Sequence, residues 1–305
     1  MKKTGLSRAQ LKDKLIYAAL IAIPSLQFVI FYISVNLNSF SLAFKVFDAN
    51  GIDFRWGLDH FKHWFLNDIE NTKLKAALWV SIKSYLLTFV ISVPLGLFFS
   101  YYMFKKMPLA GFFRTLLFVP SILSAATLAV IFQQVTDGVI GSEDGFGLQL
   151  FGEARSFWNL EHGYGSMMFF CIFFSFGTNV LMYTNRMNGI EPEIIEAGRL
   201  DGANGIKEFW YIVLPQTFPI IKVFLITGFA AIFTNQYNYH ILLSQASDQS
   251  TMPLGFMLWN GVQSLRGNEV GMGIYASLGL MITFVIAPLT FLLRWVMNKV
   301  GWKEE

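Results

Sequence analysis

Six stretches of the chain, approximately 15–40, 84–104, 115–134, 167–183, 223–240 and 275–295, are apolar and free of Asp, Glu, Lys and Arg until Arg294 at the end of the last. A helix needs about 20 such residues to cross roughly 30 Å of hydrocarbon. A soluble globule could not bury six of them: 54% of the 305 residues are hydrophobic, 32 are Phe and only 14% are charged, against about 25% charged in soluble domains. The expected fold class is an all-α polytopic membrane protein of about six transmembrane helices, forming one domain over 1–305. Residues 15–40 follow Met1, Lys2 and Lys3 but are too long for a signal peptide, and 21–44 offer no good small-residue cleavage site, so they read as a retained helix. Cys171 is the single cysteine, so no internal disulfide forms.

Orientation follows from the loops, because cytoplasmic loops hold an excess of Lys and Arg. With the N-terminus inside, fifteen of the 23 basic residues fall on the cytoplasmic side, among them Lys12, Lys105, Arg114, Arg199, Lys207 and Lys299. Both termini are therefore expected in the cytoplasm. Lys83, at the outer end of the second span, is placed to snorkel to the interface. The outer loops 41–76, 135–165 and 241–270 read as short ordered caps, the first carrying Trp56, Gly57, His60, Phe61 and Trp64.

Several chemistries have no residues to support them. No Gly-x-x-x-x-Gly-Lys-Ser/Thr cradle for nucleotide phosphates occurs. His60 and His63 stand three apart, but without Cys and with only scattered acids nearby they read as interfacial histidines rather than metal ligands. No Ser/His/Asp constellation lies in or near the spans, so catalytic and metal residues are expected to be none, and no feature points to nucleic acid. Ion-coupled carriers keep an ionisable residue at membrane depth, and here there is none. The polar groups in the spans are neutral, among them Asn179, Thr234, Asn235, Gln236 and Asn238. They suit a neutral, hydroxyl-rich solute, although amides and hydroxyls also join helices to one another.

Residues 186–217 form the most informative loop, placed inside by the charge pattern. Glu191-Pro192-Glu193 reads as a helix start, with proline in the first turn and acids at the positive end of the dipole. Ile194, Ala197 and Leu200 fall on one face, broadened by Ile195. Gly202 and Asn204-Gly205 end that helix, and a second short helix over 206–213 is expected to stop at Pro215. The product is a helix–turn–helix with an exposed apolar stripe, which needs a partner surface.

Glu196-Ala197-Gly198, three residues, Gly202, nine residues, then Ile212-Val213-Leu214-Pro215 resembles the Glu-Ala-Ala loop of bacterial ATP-binding-cassette importer permeases. The run from Glu196 through Ala203 is close to the carbohydrate branch, with Gly198 where Ala is usual. Gly57-Leu58-Asp59-His60-Phe61 resembles a Gly-x-x-Asn-Phe/Tyr segment in the first outer loop of maltose- and glycerol-phosphate-type permeases, with His60 for Asn. Pro120-Ser121-Ile122 resembles their third-span Pro-x-x-Ile/Leu. Two departures are the run 243–251, where a Thr-x-Gly-Gly-Pro segment is common, and 185–190, where only Ile190 matches.

The resemblance implies a permease subunit of the bacterial inner membrane, not an enzyme, importing a sugar or oligosaccharide. It implies a second permease subunit completing the path, two nucleotide-binding ATPase subunits that hold ATP and Mg, and an extracytoplasmic solute-binding protein, with no cofactor in this chain. Glu196, Ala197, Gly198, Leu200, Asp201, Gly202 and Ala203 would couple to the nucleotide-binding subunit. Asn235-Gln236-Tyr237 resembles the Asn-x-Phe near the end of the fifth span in maltose-type permeases. On a continuous helix, Gly228, Ala231, Ile232 and Asn235 would share one face of the solute path, with Ser175, Thr178 and Asn179 opposite and Tyr237 or Tyr239 stacking on a sugar ring. The same small residues would equally allow close helix packing. The same architecture importing an amino acid, peptide or polyamine is the alternative, although a cationic solute would want carboxylates that the spans lack.

Overall fold

In hydrocarbon every backbone N–H and C=O must be satisfied within the segment, so uncharged apolar runs of this length become helices. The computed structural model describes residues 8–48, 53–140, 163–242, 252–265 and 268–300. Outer-loop residues 141–162 and the run 243–251 lie outside them. Among the described residues five helices are long and apolar enough to cross a membrane, or six if a bent pair is one span. The chain divides into two compact units, Met1–Asn67 with Gly261–Met281 and Asp68–Asn260 with Ile282–Glu305.

In the first unit, α1 (Arg8–Gln27) runs through a wide π-turn, Phe28–Ser34, into α2 (Val35–Phe44). Residues 16–40 are exposed all round, an apolar surface suited to lipid or another helix rather than water. A two-stranded antiparallel hairpin follows, β1 (Lys45–Phe47) against β2 (Phe54–Trp56), with Val46 opposite Arg55. Helix α3 (Asp59–Leu66) then packs its inner face. His60 Nε2 lies 2.9 Å from the Lys45 carbonyl, and Trp64 Nε1 donates to the Ile274 carbonyl at 3.0 Å. The His60 ring is thus engaged with backbone.

The second unit is built on α4 (Asp68–Phe104) and α7 (Gly163–Asn188), between which come α5 (Ala110–Ile122) and α6 (Ala125–Gln134). Helix α4 has 37 residues, or about 55 Å at 1.5 Å per residue, so it continues well beyond the apolar window 84–104. Lys83 Nζ sits over the Tyr164 ring, 4.8 Å from its centroid. Small and hydroxylic residues let α4 and α7 approach. Ser100 Oγ donates to the Val180 carbonyl at 2.9 Å, Ser84 Oγ and Tyr164 Oη are 3.0 Å apart, and Gly96 receives the Tyr183 ring. Gly177 lets α7 touch α5: a β-carbon there would stand 2.5 Å from the Leu117 carbonyl oxygen.

Three expectations about span boundaries are corrected. The third span is not one straight helix: the segments Ala110–Pro120 and Ala125–Ile140 meet at 98°. Pro120 removes a donor from the ladder, Leu123 is extended, and Ser124 caps a new helix by accepting the Thr127 N–H at 3.1 Å. The short helix after the loop does not stop at Pro215. After α8 (Pro192–Leu200) and a turn, it begins as α9 (Ile206–Glu208) and runs through a π-turn, Phe209–Val213, directly into α10 (Leu214–Ala230). Pro215 sits in the first turn of α10, where the hydrogen-bond register is already changing and a missing N–H is tolerated.

The fifth span ends at Ala230 rather than near 240. Residues 231–238 form turns before the short helix α11 (Tyr239–Leu242). The Asn235 Oδ1 accepts the Tyr237 N–H at 2.9 Å, a local bond that competes with helix continuation. Gly228, Ala231, Ile232 and Asn235 therefore do not share a continuous helical face. Helices α12 (Leu254–Ser264) and α13 (Glu269–Val300) complete the order.

The Gly177 contact is testable. Gly177→Ala should destabilise by about 1–3 kcal/mol through overpacking, seen as a lower thermal midpoint in detergent. Gly165→Ala on the same helix, where nothing lies within 4 Å, should leave the midpoint unchanged or raise it.

Candidate functional site: an exposed helix–turn–helix and a polar cavity

The loop between α7 and α10 carries α8 (Pro192–Leu200) and the single turn α9 (Ile206–Glu208). Glu191 caps α8 in extended conformation, Pro192 opens it, Glu193 lies in its first turn and Arg199 in its last. This charge order matches the helix dipole. The helix closes with two reciprocal bonds, Ala203 N–H to the Gly198 carbonyl at 2.9 Å and Gly202 N–H to Arg199 at 3.0 Å. Gly202 takes φ 83°, the left-handed residue that this ending requires.

The two faces of α8 have different fates. Ile195 is buried with Leu97, Tyr183, Met187, Val213 and Ile221. Ile194, Ala197 and Leu200 remain exposed, Leu200 at 90%. Glu196 is also exposed and makes no ion pair among the described residues. Ile206, Trp210 and Tyr211 extend the exposed apolar surface beyond the turn.

A β-carbon at Gly198 would meet Ile212 Cδ1, the end of a flexible side chain, so alanine there needs Ile212 to turn aside but meets no backbone of the π-turn. Sequence reasoning registers only the helix-weakening effect of this glycine, because the partner is fourteen positions away in the chain.

Sequence reasoning also misses Glu208. Its side chain is 1% exposed, and its carboxylate receives Lys105 Nζ at 2.8 and 3.0 Å and Arg199 Nε at 3.2 Å. Lys105 follows the last residue of α4, and Arg199 belongs to α8. Beside this clamp, Tyr101 Oη donates to the Gly205 carbonyl at 2.9 Å and its ring packs on Phe209 at 5.0 Å. Only the carboxylate is buried, with Lys105 and Arg199 25% and 53% exposed; losing Glu208 would leave both cations without it, whereas losing one cation leaves the acid a second partner. The local sequence holds no signal of this: Glu208 looks like one more acid in a charged loop.

A second feature is a cavity of about 370 Å³ in the second unit, within the usual range for ligand clefts. Its wall includes Thr88 from α4, Pro120 and Leu123 at the α5 bend, Phe170, Phe174 and Thr178 from α7, and Asn235, Tyr237 and Asn238 from the turn after α10. Among the described residues no charged side chain lines it. The Thr88 hydroxyl has no hydrogen-bond partner among the described residues. Tyr237 and Asn238 hold φ of 50° and 56°, an uncommon conformation for non-glycine residues that clusters at functional sites.

Of the residues expected along a solute path, the structure brings Thr178 and Asn235 to this cavity. Asn179 stands instead near Gly96, and Gly228 packs against the Tyr85 ring. Ile232 is buried, and Tyr239 is fully buried with its ring 4.4 Å from Phe256. Ala231 caps the end of α10. The Ser175 side chain lies outside the described residues. Of the two tyrosines expected to stack on a sugar ring, Tyr237 lines the wall and Tyr239 does not; Thr88 joins the wall unforeseen.

An all-helical bundle with a neutral cavity and a projecting helix–turn–helix defines a membrane transport component. Residues 92–301 match the family described as "Binding-protein-dependent transport system inner membrane component". The chain belongs to that family and is a permease component of the inner membrane, not an enzyme. It is 24% identical over 268 residues to the arabinooligosaccharides transport system permease protein AraP of Bacillus subtilis, covering 86% of this chain and 82% of that protein. It is 25% identical over 208 residues to the multiple sugar-binding transport system permease protein MsmF of Streptococcus mutans, covering 68% and 70%. A solved bacterial ABC transporter involved in import of the acidic polysaccharide alginate has the same fold, with TM-score 0.77, 18% identity and coverage of 95% and 96%. A second structure of the alginate transporter, in complex with an alginate pentasaccharide-bound periplasmic protein, aligns with TM-score 0.74 and 20% identity over 95% and 96%.

The contact at Gly198 predicts a coupled pair. Ile212→Val alone should destabilise by about 1 kcal/mol. In a Gly198→Ala background the same change removes the clashing Cδ1 and should cost nothing or stabilise. Thermal midpoints of the four proteins measure the coupling.

Proposed function

We propose that residues 1–305 form a single permease domain that imports a neutral sugar or oligosaccharide, building half of the translocation path beside a second permease subunit. The observation that carries this reading is the cavity wall: Thr88, Thr178, Asn235 and Asn238, with Phe170 and Phe174, and no charged side chain among the described residues. Such groups exchange hydrogen bonds with sugar hydroxyls, and aromatic rings cover the apolar faces of pyranoses. The names of the two curated relatives, both of sugar transport systems, support the same class. A cationic amino acid or polyamine would lack a counter-charge here.

Both termini are assigned to the cytoplasm on the loop charge pattern. The helix–turn–helix then faces the two nucleotide-binding subunits, which hold ATP and Mg, while a solute-binding protein delivers the sugar from outside. Glu196, Ala197, Gly198, Leu200, Asp201, Gly202 and Ala203 form the coupling element. Ile194, Ala197 and Leu200 supply its apolar face, and Glu196 supplies an acid free to pair with a basic group.

Two substitutions test the reading in the reconstituted importer. Thr178→Phe fills the cavity and should abolish uptake of labelled oligosaccharide while the subunits still co-purify. Uptake of a labelled polyamine in place of any sugar would reassign the solute. Glu196→Lys should abolish transport-linked ATP hydrolysis while the chain still inserts, since like charges at an interface cost several kcal/mol. Normal transport by the Glu196→Lys variant would refute docking through this helix.

A further inference from the structure

We infer that Glu208 is a positioning residue that makes the helix–turn–helix and the end of α4 move as one body, so that displacement of α8 reaches the wall of the cavity. The inference rests on the permease reading above and assigns a role to a residue outside the coupling motif.

The turn between α8 and α9 cannot carry force by itself. Residues 201–205 hold two glycines at positive φ, Gly202 at 83° and Gly205 at 49°, and nothing lies within 4 Å of where their side chains would begin. Four of the five residues of this turn are exposed. Glycine backbone without packing absorbs motion through φ and ψ changes. The ionic clamp bypasses the turn. The Glu208 carboxylate is held by Arg199 of α8 on one side and by Lys105 on the other. The Tyr101 hydroxyl bond to Gly205 and the Tyr101–Phe209 ring contact fasten the same corner to α4.

The route onward is α4, helical throughout although Pro94 removes one donor from its ladder. Thr88 of the cavity wall lies on α4 seventeen residues before Lys105, or about 25 Å along the axis. The interface of α4 with α7, held by Ser100 and Gly96, keeps that segment in register with Phe174 and Thr178 on the opposite wall. A push on α8 is thus converted at Glu208 into movement of α4. Without the clamp, α8 would hold to the bundle only through the apolar cluster around Ile195, and more of the same push would be taken up at Gly202 and Gly205.

Cys171 supplies the readout, because it is the chain's single cysteine and it lines the cavity. The complete importer is reconstituted, and the rate of Cys171 labelling by a small methanethiosulfonate is measured nucleotide-free and with ATP trapped by vanadate. The wild-type rate should differ between the two states by at least about fivefold, the lower end of typical coupling. Glu208→Gln should reduce that difference to less than about twofold while the nucleotide-binding subunits continue to hydrolyse ATP. Glu208→Asp, which keeps the charge, should retain most of the response. A purely structural role would lower complex yield or thermal midpoint without separating hydrolysis from labelling.

Should Glu208→Gln fail to assemble, Lys105→Gln carries the test, since Arg199 still neutralises the buried acid. A wild-type nucleotide response in either assembled variant overturns the inference. A wild-type importer whose Cys171 labels at the same rate in both states overturns the assignment of this cavity to the solute path, on which the inference rests, and so separates the two failures.

Discussion

The exclusion of unpaired polar groups from hydrocarbon is the constraint on which the rest of the structure depends. It forces the apolar runs into helices, whose ladders satisfy each backbone group internally. It also drives the charges to the helix ends, so that Lys105, Arg199 and Glu208 meet where α4 leaves its apolar window. The same constraint gives each departure from regular helix a consequence. The 98° break after Pro120 and the turn at 231–238 expose backbone and amides at membrane depth, and irregular backbone is tolerated there because it lines a cavity.

Contact between helices then depends on small residues and hydroxyls rather than on a hydrophobic driving force, since lipid tails are as apolar as leucine. Ser84, Gly96 and Ser100 of α4 meet Tyr164, Val180 and Tyr183 of α7, and Gly177 meets the backbone at Leu117. Exposed apolar residues on the remaining faces, as along 16–40, fit lipid or a neighbouring helix. Small residues mark the closest helix approaches, while bulky ones such as Tyr183, Met167 and Met187 fill the interior between them.

The helix–turn–helix combines an exposed recognition face with a rigid attachment. Its recognition face is built from sequence-local features: a proline start, a dipole-matched charge order and a glycine ending. Its attachment is built from residues distant in sequence. Glu208 and Lys105 are 103 positions apart, and Tyr101 reaches Gly205 across a similar span. A surface that must push on the bundle needs both.

The sequence by itself determined the membrane class, the approximate positions of the spans and the helix–turn–helix with its bounds at Pro192 and Gly202. These depend on runs and periodicities within a few turns of helix, which hydropathy and capping chemistry record directly. Tertiary structure alone decided where helices bend or end, as at Ser124 and Ala230, because there a side chain competes with the backbone ladder and the balance is set by neighbouring elements. It decided that Thr178 and Asn235 share a cavity with Thr88 and Tyr237 while Gly228 and Tyr239 serve packing. It alone identified Glu208, because burial and ion pairing are properties of three-dimensional neighbours, and an acid that will be enclosed by two distant cations is written in the chain with the same letter as one left in water.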